Sequence, residues 1–123
     1  MKNIVFFLML LLPLACGGGG GDAATSVKAA FLESLDGEDL NLEGVNLSNT
    51  TLDGANLRNS SLNGTNLDGA SLRNVDFSGA SIRNASMRNA DVSNAQFSGA
   101  DMLGLDLTGT NIEAADTSGA LNF

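Results

Sequence analysis

The chain contains no histidine, tyrosine or tryptophan, and its only cysteine is Cys16. These absences exclude histidine-based nucleophilic sites and histidine metal sites. Acid–base catalysis would depend on carboxylates, and nothing in the sequence indicates that any of them is buried enough to shift its pKa. Cations are also scarce, since 6 Lys and Arg stand against 14 Asp and Glu, a formal net charge of −8. An acidic surface argues against binding nucleic acid through its phosphates. We therefore expect a non-enzymatic protein without a cofactor or a metal.

The densest acidic cluster, Asp36, Glu38, Asp39 and Glu43, does not change this expectation. Carboxylates are calcium ligands, but Leu40 stands where a calcium-binding loop needs an acid or an amide. We interpret the cluster as a solvated junction.

The dominant feature of the chain is an apolar residue at every fifth position from Leu42 to Ile112. Two positions after each stands Gly or Asn, until Ala114 ends the rule. On a helix or a flat strand a period of five scatters these residues over opposite faces, so the chain must turn once per repeat. Gly and Asn adopt the left-handed conformations that such corners need. The predicted core is Leu42, Leu47, Leu52, Leu57, Leu62, Leu67, Leu72, Phe77, Ile82, Met87, Val92, Phe97, Met102, Leu107 and Ile112.

Several segments match one consensus, A(D/N)LXX: Ala55-Asn56-Leu57-Arg58-Asn59, Ala70-Ser71-Leu72-Arg73-Asn74, Ala90-Asp91-Val92-Ser93-Asn94 and Ala100-Asp101-Met102-Leu103-Gly104. The chain therefore resembles the pentapeptide repeat family over residues 38–119. The resemblance implies an all-β solenoid, a right-handed quadrilateral β-helix of about four coils with four pentapeptides per coil. It says little about function.

In that geometry, residues twenty apart stack at the strand spacing of about 4.8 Å. Phe77 is then expected to stack under Phe97 in the core. On the outside, Arg73 is expected beside Asp53 and Arg88 beside Asp68, as exposed ion pairs of small energetic value.

The first 15 residues have the features of a secretory signal: Lys2 precedes an apolar run from Ile4 to Leu14 that is too short to span a bilayer. Leu14-Ala15-Cys16 resembles the end of a bacterial lipobox, although Pro13 departs from the usual Leu. The resemblance implies that Cys16 is acylated and becomes the N-terminus. The alternative is an ordinary cleaved signal that leaves a free thiol, which would be a reactive liability in an exported protein.

The remaining segments suggest a tethered domain. Residues 16–24 carry the lipidated cysteine and a flexible glycine-rich tether, and residues 25–37 are predicted as a helix that caps the first coil. Residues 120–123 are predicted as a C-terminal tail. Because Gly17 is not the Asp associated with inner-membrane retention, we expect the cell envelope, and the outer membrane before the inner.

Two sets of outward residues are candidates for interaction. Leu103, Leu121 and Phe123 lie at a C-terminal end with no covering helix, and this end is expected either to fold over as a small cap or to pair with a partner or a second copy. Arg73, Arg83 and Arg88 are candidates for a small basic patch, with solvated, paired arginines as the alternative.

Three functions are compatible with the sequence. The first is a membrane-anchored envelope lipoprotein whose solenoid acts as a structural spacer or a protein-interaction module, with an unidentified envelope partner or a homodimer at the C-terminal end. The second is an acidic DNA-mimic rod of the topoisomerase-protecting type, which export would prevent. The third is a surface- or ice-binding solenoid, but no outward column forms a threonine ladder. We favour the first.

Overall fold

The computed structural model describes residues 38–123. The expected signal peptide, Cys16, the tether and the capping helix 25–37 lie outside the described residues. Within residues 38–123, no helix is long and apolar enough to cross a bilayer. The regular structure there consists of short parallel bridges that join residues twenty positions apart, as in the pair Asn41 and Ser61.

The bridges define four sides, which we number in chain order. Side 1 joins Asn41, Ser61, Ser81, Asp101 and Leu121; side 2 joins Asn46, Asn66, Ser86 and Asp106; side 3 joins Thr51, Ser71 and Asp91; side 4 joins Asn56, Asp76, Gln96 and Asp116. The chain therefore forms a parallel β-solenoid that completes one coil every twenty residues. Residues 120–123 continue side 1, because Leu121 bridges to Asp101.

Hydrogen bonds between coils repeat with the same spacing. The Leu42 N–H donates to the Ser61 carbonyl at 2.7 Å, and the Ser61 N–H donates back to the Leu40 carbonyl at 2.8 Å. Nearly every corner is closed by a local bond, as from the Val45 N–H to the Leu42 carbonyl at 3.1 Å. Every fifth residue from Asp39 to Gly109 has a positive φ. Gly and Asn recur at these positions because they adopt that conformation at low cost.

The interior contains two side chains from each repeat. The predicted large residues from Leu42 to Met102 are buried, each at most 2% exposed. Phe77 and Phe97 stack with ring centroids 5.0 Å apart and planes 10° from parallel, which confirms the expected pair. Because a buried Leu, Ile or Phe contributes about 1.5–3 kcal/mol, this axial column is the main source of stability.

The second inward position holds the smaller residues, and three of these are polar: Thr50, Ser60 and Thr65. The Thr50 hydroxyl donates to the Leu47 carbonyl at 2.6 Å, and the Thr65 hydroxyl donates to the Leu42 carbonyl at 2.7 Å. In the described part of the chain, every buried side-chain polar atom has a hydrogen-bond partner. These hydroxyls therefore avoid the penalty of an unsatisfied buried group.

The regular pattern breaks once, on side 3 of the last coil. A 3-10 helix spans Ile112–Ala114, where Ala114 takes the place of a corner Gly or Asn. The backbone of Asn111 forms no bridge to Asp91; instead its side-chain Oδ1 accepts the Val92 N–H at 2.8 Å. The regular register returns when the Phe97 N–H donates to the Asp116 carbonyl.

The last coil closes the core incompletely. Leu107 and Ile112 point inward and pack against the core, yet both are only half-buried because no further coil covers them among the described residues. By the period of five these two residues are equivalent to the earlier core residues. They are more exposed because they lie in the last described coil.

Candidate interaction surface

The outward arginines are paired across coils. Arg73 contacts Asp53 at 3.0 Å, which confirms the expected pair, and Asp91 at 3.9 Å. Arg58 lies 3.9 Å from Glu38 and 4.0 Å from Asp76. Arg83 lies 3.8 Å from Asp101. Because both partners in each pair are partly exposed, each ion pair contributes little to stability.

Asp68 lies beside Arg88 as expected, but the salt bridge of the Arg88 side chain is with Asp106 instead. The Arg88 Nε donates to Asp106 at 2.6 Å, on the coil above, while Asp68 accepts the Arg88 backbone N–H at 2.9 Å and the Ser86 hydroxyl. Asp68 thus accepts hydrogen bonds from the Ser86 hydroxyl and the Arg88 backbone, and the Arg88 guanidinium pairs with Asp106 on the next coil.

The three arginines proposed as a basic patch lie at different corners. Arg83 follows side 1, Arg88 follows side 2 and Arg73 follows side 3 of the preceding coil. Each is bound to a carboxylate. The surface therefore shows paired arginines around the solenoid, not one positively charged face.

Corner amides are capped by side chains in two ways, which the sequence reasoning missed. In most repeats, the Asn or Asp just before the core residue accepts the N–H of the residue just after it, as Asn46 does for Ser48 at 3.0 Å. This position holds a serine in four repeats, and in three of them the acceptor comes from the coil below. The cross-coil acceptors are Asp53, Asn63 and Asp68. A serine at this position, together with an Asp or Asn eighteen residues earlier, is the signal that identifies them; Glu43, eighteen residues before Ser61, instead accepts from the Ser61 and Asn63 side chains.

The caps also determine how the carboxylates titrate. Hydrogen bonds from the Thr108 side chain and backbone, followed by that from Arg88, lower the pKa of Asp106 to about 2. Hydrogen bonds from Ser93 and Asn111 lower the pKa of Asp91. These acids remain ionised and hold their corners at neutral pH.

No group of three or more potential metal ligands occurs within residues 38–123. Of the acidic junction, Glu43 accepts hydrogen bonds from Ser61 and Asn63, and Glu38 lies near Arg58. Asp36 lies outside the described residues. A shallow, open notch beside the 3-10 helix is lined by Asn94, Gln96, Glu113, Ala114, Ala115 and Asp116.

Exposed large apolar side chains within residues 38–123 are confined to the C-terminal end. Leu103 is 44% exposed, Leu121 54% and Phe123 68%. Leu103 and Phe123 each lie two residues past the Asp101–Leu121 bridge, so they occupy the same corner on successive coils. The three residues that the sequence proposed for interaction thus lie on side 1 and at the corner that follows it, in the last two coils.

A model of the family described as pentapeptide repeats matches residues 41–79 and 76–113. The chain belongs to the pentapeptide repeat family. The resemblance drawn from the sequence is confirmed, and no catalytic family is indicated. No protein among those with curated descriptions matches this pentapeptide repeat chain.

Solved structures of other pentapeptide repeat proteins are similar to it. The protein alr5209 from Nostoc Pcc 7120 is 27% identical, with a TM-score of 0.66 over 82% of this chain and 86% of that one. HetL from Nostoc sp. Strain PCC 7120, described as involved in heterocyst differentiation regulation, is 33% identical over 67% of this chain and 40% of its own. Its TM-score is 0.39.

Proposed function

We propose that this pentapeptide repeat protein is a non-enzymatic cell-envelope lipoprotein. Its right-handed quadrilateral β-helix acts as a protein-interaction module or, alternatively, as a structural spacer. The observation that carries the interaction role is that, within residues 38–123, the exposed large apolar residues all lie at one end, at Leu103, Leu121 and Phe123. Single-purpose spacers need no such patch, whereas contiguous apolar exposure is typical of contact surfaces.

The sequence supports the anchor. A lipobox-like Leu14-Ala15-Cys16 follows an apolar leader, and five glycines follow the cysteine. Acyl chains, palmitate among them, on Cys16 would give stable membrane attachment, since each buried CH₂ contributes about 0.8 kcal/mol. Because the tether precedes the first coil, the apolar C-terminal end would point away from the membrane. We propose the outer membrane in preference to the inner membrane.

A Cys16→Ser variant tests the anchor. We expect radiolabelled palmitate to enter the wild type and not the variant, and we expect the variant to leave the membrane fraction. Cys16 is the only cysteine, so thioester or thioether labelling has no second site. Label that persists in the variant, or wild-type protein that remains in the cytoplasm after fractionation, would overturn the lipoprotein assignment. Cytoplasmic retention would favour the DNA-mimic alternative instead.

A further inference from the structure

Asn63-Gly64 is the only Asn-Gly dipeptide in the chain. Asparagine is thermolabile, most of all before glycine, because glycine has no Cβ to hinder its nitrogen and adopts the conformations that ring closure needs. In that reaction the Gly64 nitrogen attacks Asn63 Cγ and forms a succinimide. The Cγ–Nδ2 bond breaks, and Nδ2 leaves as ammonia with the Gly64 amide proton. Water then opens the ring to aspartate or isoaspartate, so the pair has the chemistry of a deamidation site.

The Gly64 nitrogen and the acceptor side of the Asn63 amide both contact the coil above. The Gly64 N–H donates to the Arg83 carbonyl at 2.9 Å. The Asn63 Oδ1 accepts the Ser81 hydroxyl at 2.8 Å and the Arg83 N–H at 2.9 Å. The nucleophile and the amide that it must attack are therefore held by separate groups, and neither can approach the other while these coils are in contact.

The donor side of the same amide reaches the coil below. The Asn63 Nδ2 donates to the Glu43 carboxylate at 3.2 Å and to the Ser61 hydroxyl at 3.1 Å. The Ser61 hydroxyl donates in turn to Glu43 at 2.6 Å. Ring closure therefore requires the Asn63 side chain to leave four hydrogen bonds and the Gly64 nitrogen to leave a fifth. Because each lost bond costs free energy, the reaction must wait for a local opening of this corner.

The products differ in how they fit the corner. Asp53 and Asp68 already cap corner amides as Asn63 does, so an aspartate would keep the hydrogen bonds that Asn63 accepts. It would lose those that Asn63 donates, and its negative charge would repel Glu43. Isoaspartate lengthens the backbone by a methylene beside Gly64, whose φ is +68°, and so displaces the ladder. Either product weakens the contacts that kept the site closed.

We propose that Asn63-Gly64 is a deamidation site that the folded wall holds closed, and that its conversion records opening of the corner after side 1. Chains that stay folded retain the asparagine. Chains that open convert it irreversibly, with water as the only co-reactant, and then close less firmly. The proposal concerns the wall alone and does not depend on the anchor or on the interaction role.

The test follows the full mature chain in neutral detergent, folded and unfolded in urea, at one mildly alkaline pH that favours loss of the Gly64 amide proton. Peptide mass spectrometry measures conversion of Asn63 to acid, and chromatography separates aspartate from isoaspartate. We expect steady conversion in urea and a rate at least about tenfold lower in the folded chain, because the reaction then requires local opening. Gly64→Ala should slow the conversion in urea, where the fold gives no protection.

Matched variants separate local release from a general loss of stability. Ser81→Ala removes a hydroxyl that the Asn63 Oδ1 accepts. We expect it to raise the rate at Asn63 in the folded chain by about two- to tenfold, the equivalent of one net hydrogen bond. The control, Ser71→Ala, removes the corresponding hydroxyl from Asp53 and should leave the rate at Asn63 unchanged.

Three results would overturn the proposal. One is conversion of Asn63 at equal rates in the folded and the unfolded chain, another is no conversion in urea, and the third is equal acceleration by Ser71→Ala and Ser81→Ala. The comparison of folded and unfolded wild type needs no variant, so it decides the matter even if a substitution prevents folding. None of these results bears on palmitate labelling of Cys16.

Discussion

At the scale of single residues, the corners show why Gly and Asn are not interchangeable although both adopt a positive φ. Asn49 directs its Oδ1 to within 2.5 Å of where a Cβ on Gly69 would lie, one coil above. Asn59, Asn84 and Asn89 occupy the equivalent space beside Gly79, Gly104 and Gly109. Gly64 has open space around its Cβ position. An asparagine therefore favours glycine above it, although Asn74 and Asn94 show that two can follow each other.

Gly69 and Gly64 provide a matched pair, with φ values of +67° and +68°. We expect Gly64→Ala to lower the free energy of unfolding by about 1 kcal/mol through its left-handed backbone alone. Gly69→Ala should cost roughly 0.5–1.5 kcal/mol more, because the Asn49 side chain must leave its rotamer. Urea denaturation of both variants measures the difference.

The Asn49→Gly/Gly69→Ala double variant is the control for this contact, since it removes the oxygen that the new methyl group meets. A double-mutant cycle should then return a favourable coupling between the two changes. Equal destabilisation by Gly64→Ala and Gly69→Ala would contradict the explanation.

At the scale of elements, the 3-10 helix at Ile112–Ala114 interrupts side 3, yet the Val92 N–H on the coil below still has a hydrogen-bond acceptor. Asn111 stands at the N-cap of that helix but makes no capping bond to it. Its side chain instead accepts the Val92 N–H and donates to Asp91 at 2.8 Å and to Ser93 at 2.7 Å. One side chain thus replaces the bridge that side 3 lacks in the last coil.

We expect Asn111→Ala to destabilise the protein by about 1–3 kcal/mol, because the amide of buried Val92 loses its acceptor. The amide of Val92 should also exchange faster with deuterium. Asn46→Ala, which removes an exposed cap on Ser48, should cost about 0.5–1.5 kcal/mol at most and leave exchange at Val92 unchanged. Unchanged exchange at Val92 in Asn111→Ala would contradict the role assigned to Asn111.

The sequence predicts the solenoid well and its outer wall poorly, for a physical reason. Inward positions are determined by packing, so a period of five apolar residues identifies the core and the family. Outward side chains choose among several acceptors, which is why Arg88 contacts Asp106 when stacking alone suggests Asp68. Ala114 visibly interrupts the Gly or Asn rule in the sequence. The repeat pattern does not predict, however, that the Asn111 side chain accepts the Val92 N–H in place of a backbone carbonyl.

At the scale of the whole molecule, the arginines occupy a central band from Arg58 to Arg88 with carboxylates on both sides along the axis. Arg58 and Arg73 each lie near acids of both neighbouring coils. The solenoid is consequently held on its outside by interactions that need ionised carboxylates, in addition to its apolar interior.

This arrangement predicts loss of stability in acid. The pKa of Asp106 is lowered from its ordinary value of 3.8 to about 2 in the folded chain. A depressed folded pKa means that its contribution is complete above the unfolded pKa and is lost as pH falls from about 4 to about 2. Asp106→Asn should therefore show a flatter dependence of melting temperature on pH over this window than the wild type.

Raising the salt concentration separates the two causes of the lowered Asp106 pKa. Charge attraction from exposed Arg88 is screened by salt, whereas the hydrogen bonds from Thr108 persist. We expect most of the acid sensitivity assigned to Asp106 to remain at high salt. Superimposable pH profiles for wild type and Asp106→Asn would refute the assignment.

The cross-coil caps have a consequence for how the molecule tolerates insertions and deletions. Removal of one pentapeptide would leave a large apolar residue at every fifth position, although a deletion between Phe77 and Phe97 would separate the two stacked rings. Asp53, Asn63 and Asp68, however, cap residues twenty positions ahead, and a missing repeat within that interval would bring a different residue above each. The apolar period of five therefore tolerates the loss of one repeat at any point, whereas the cross-coil caps restrict where a repeat can be lost.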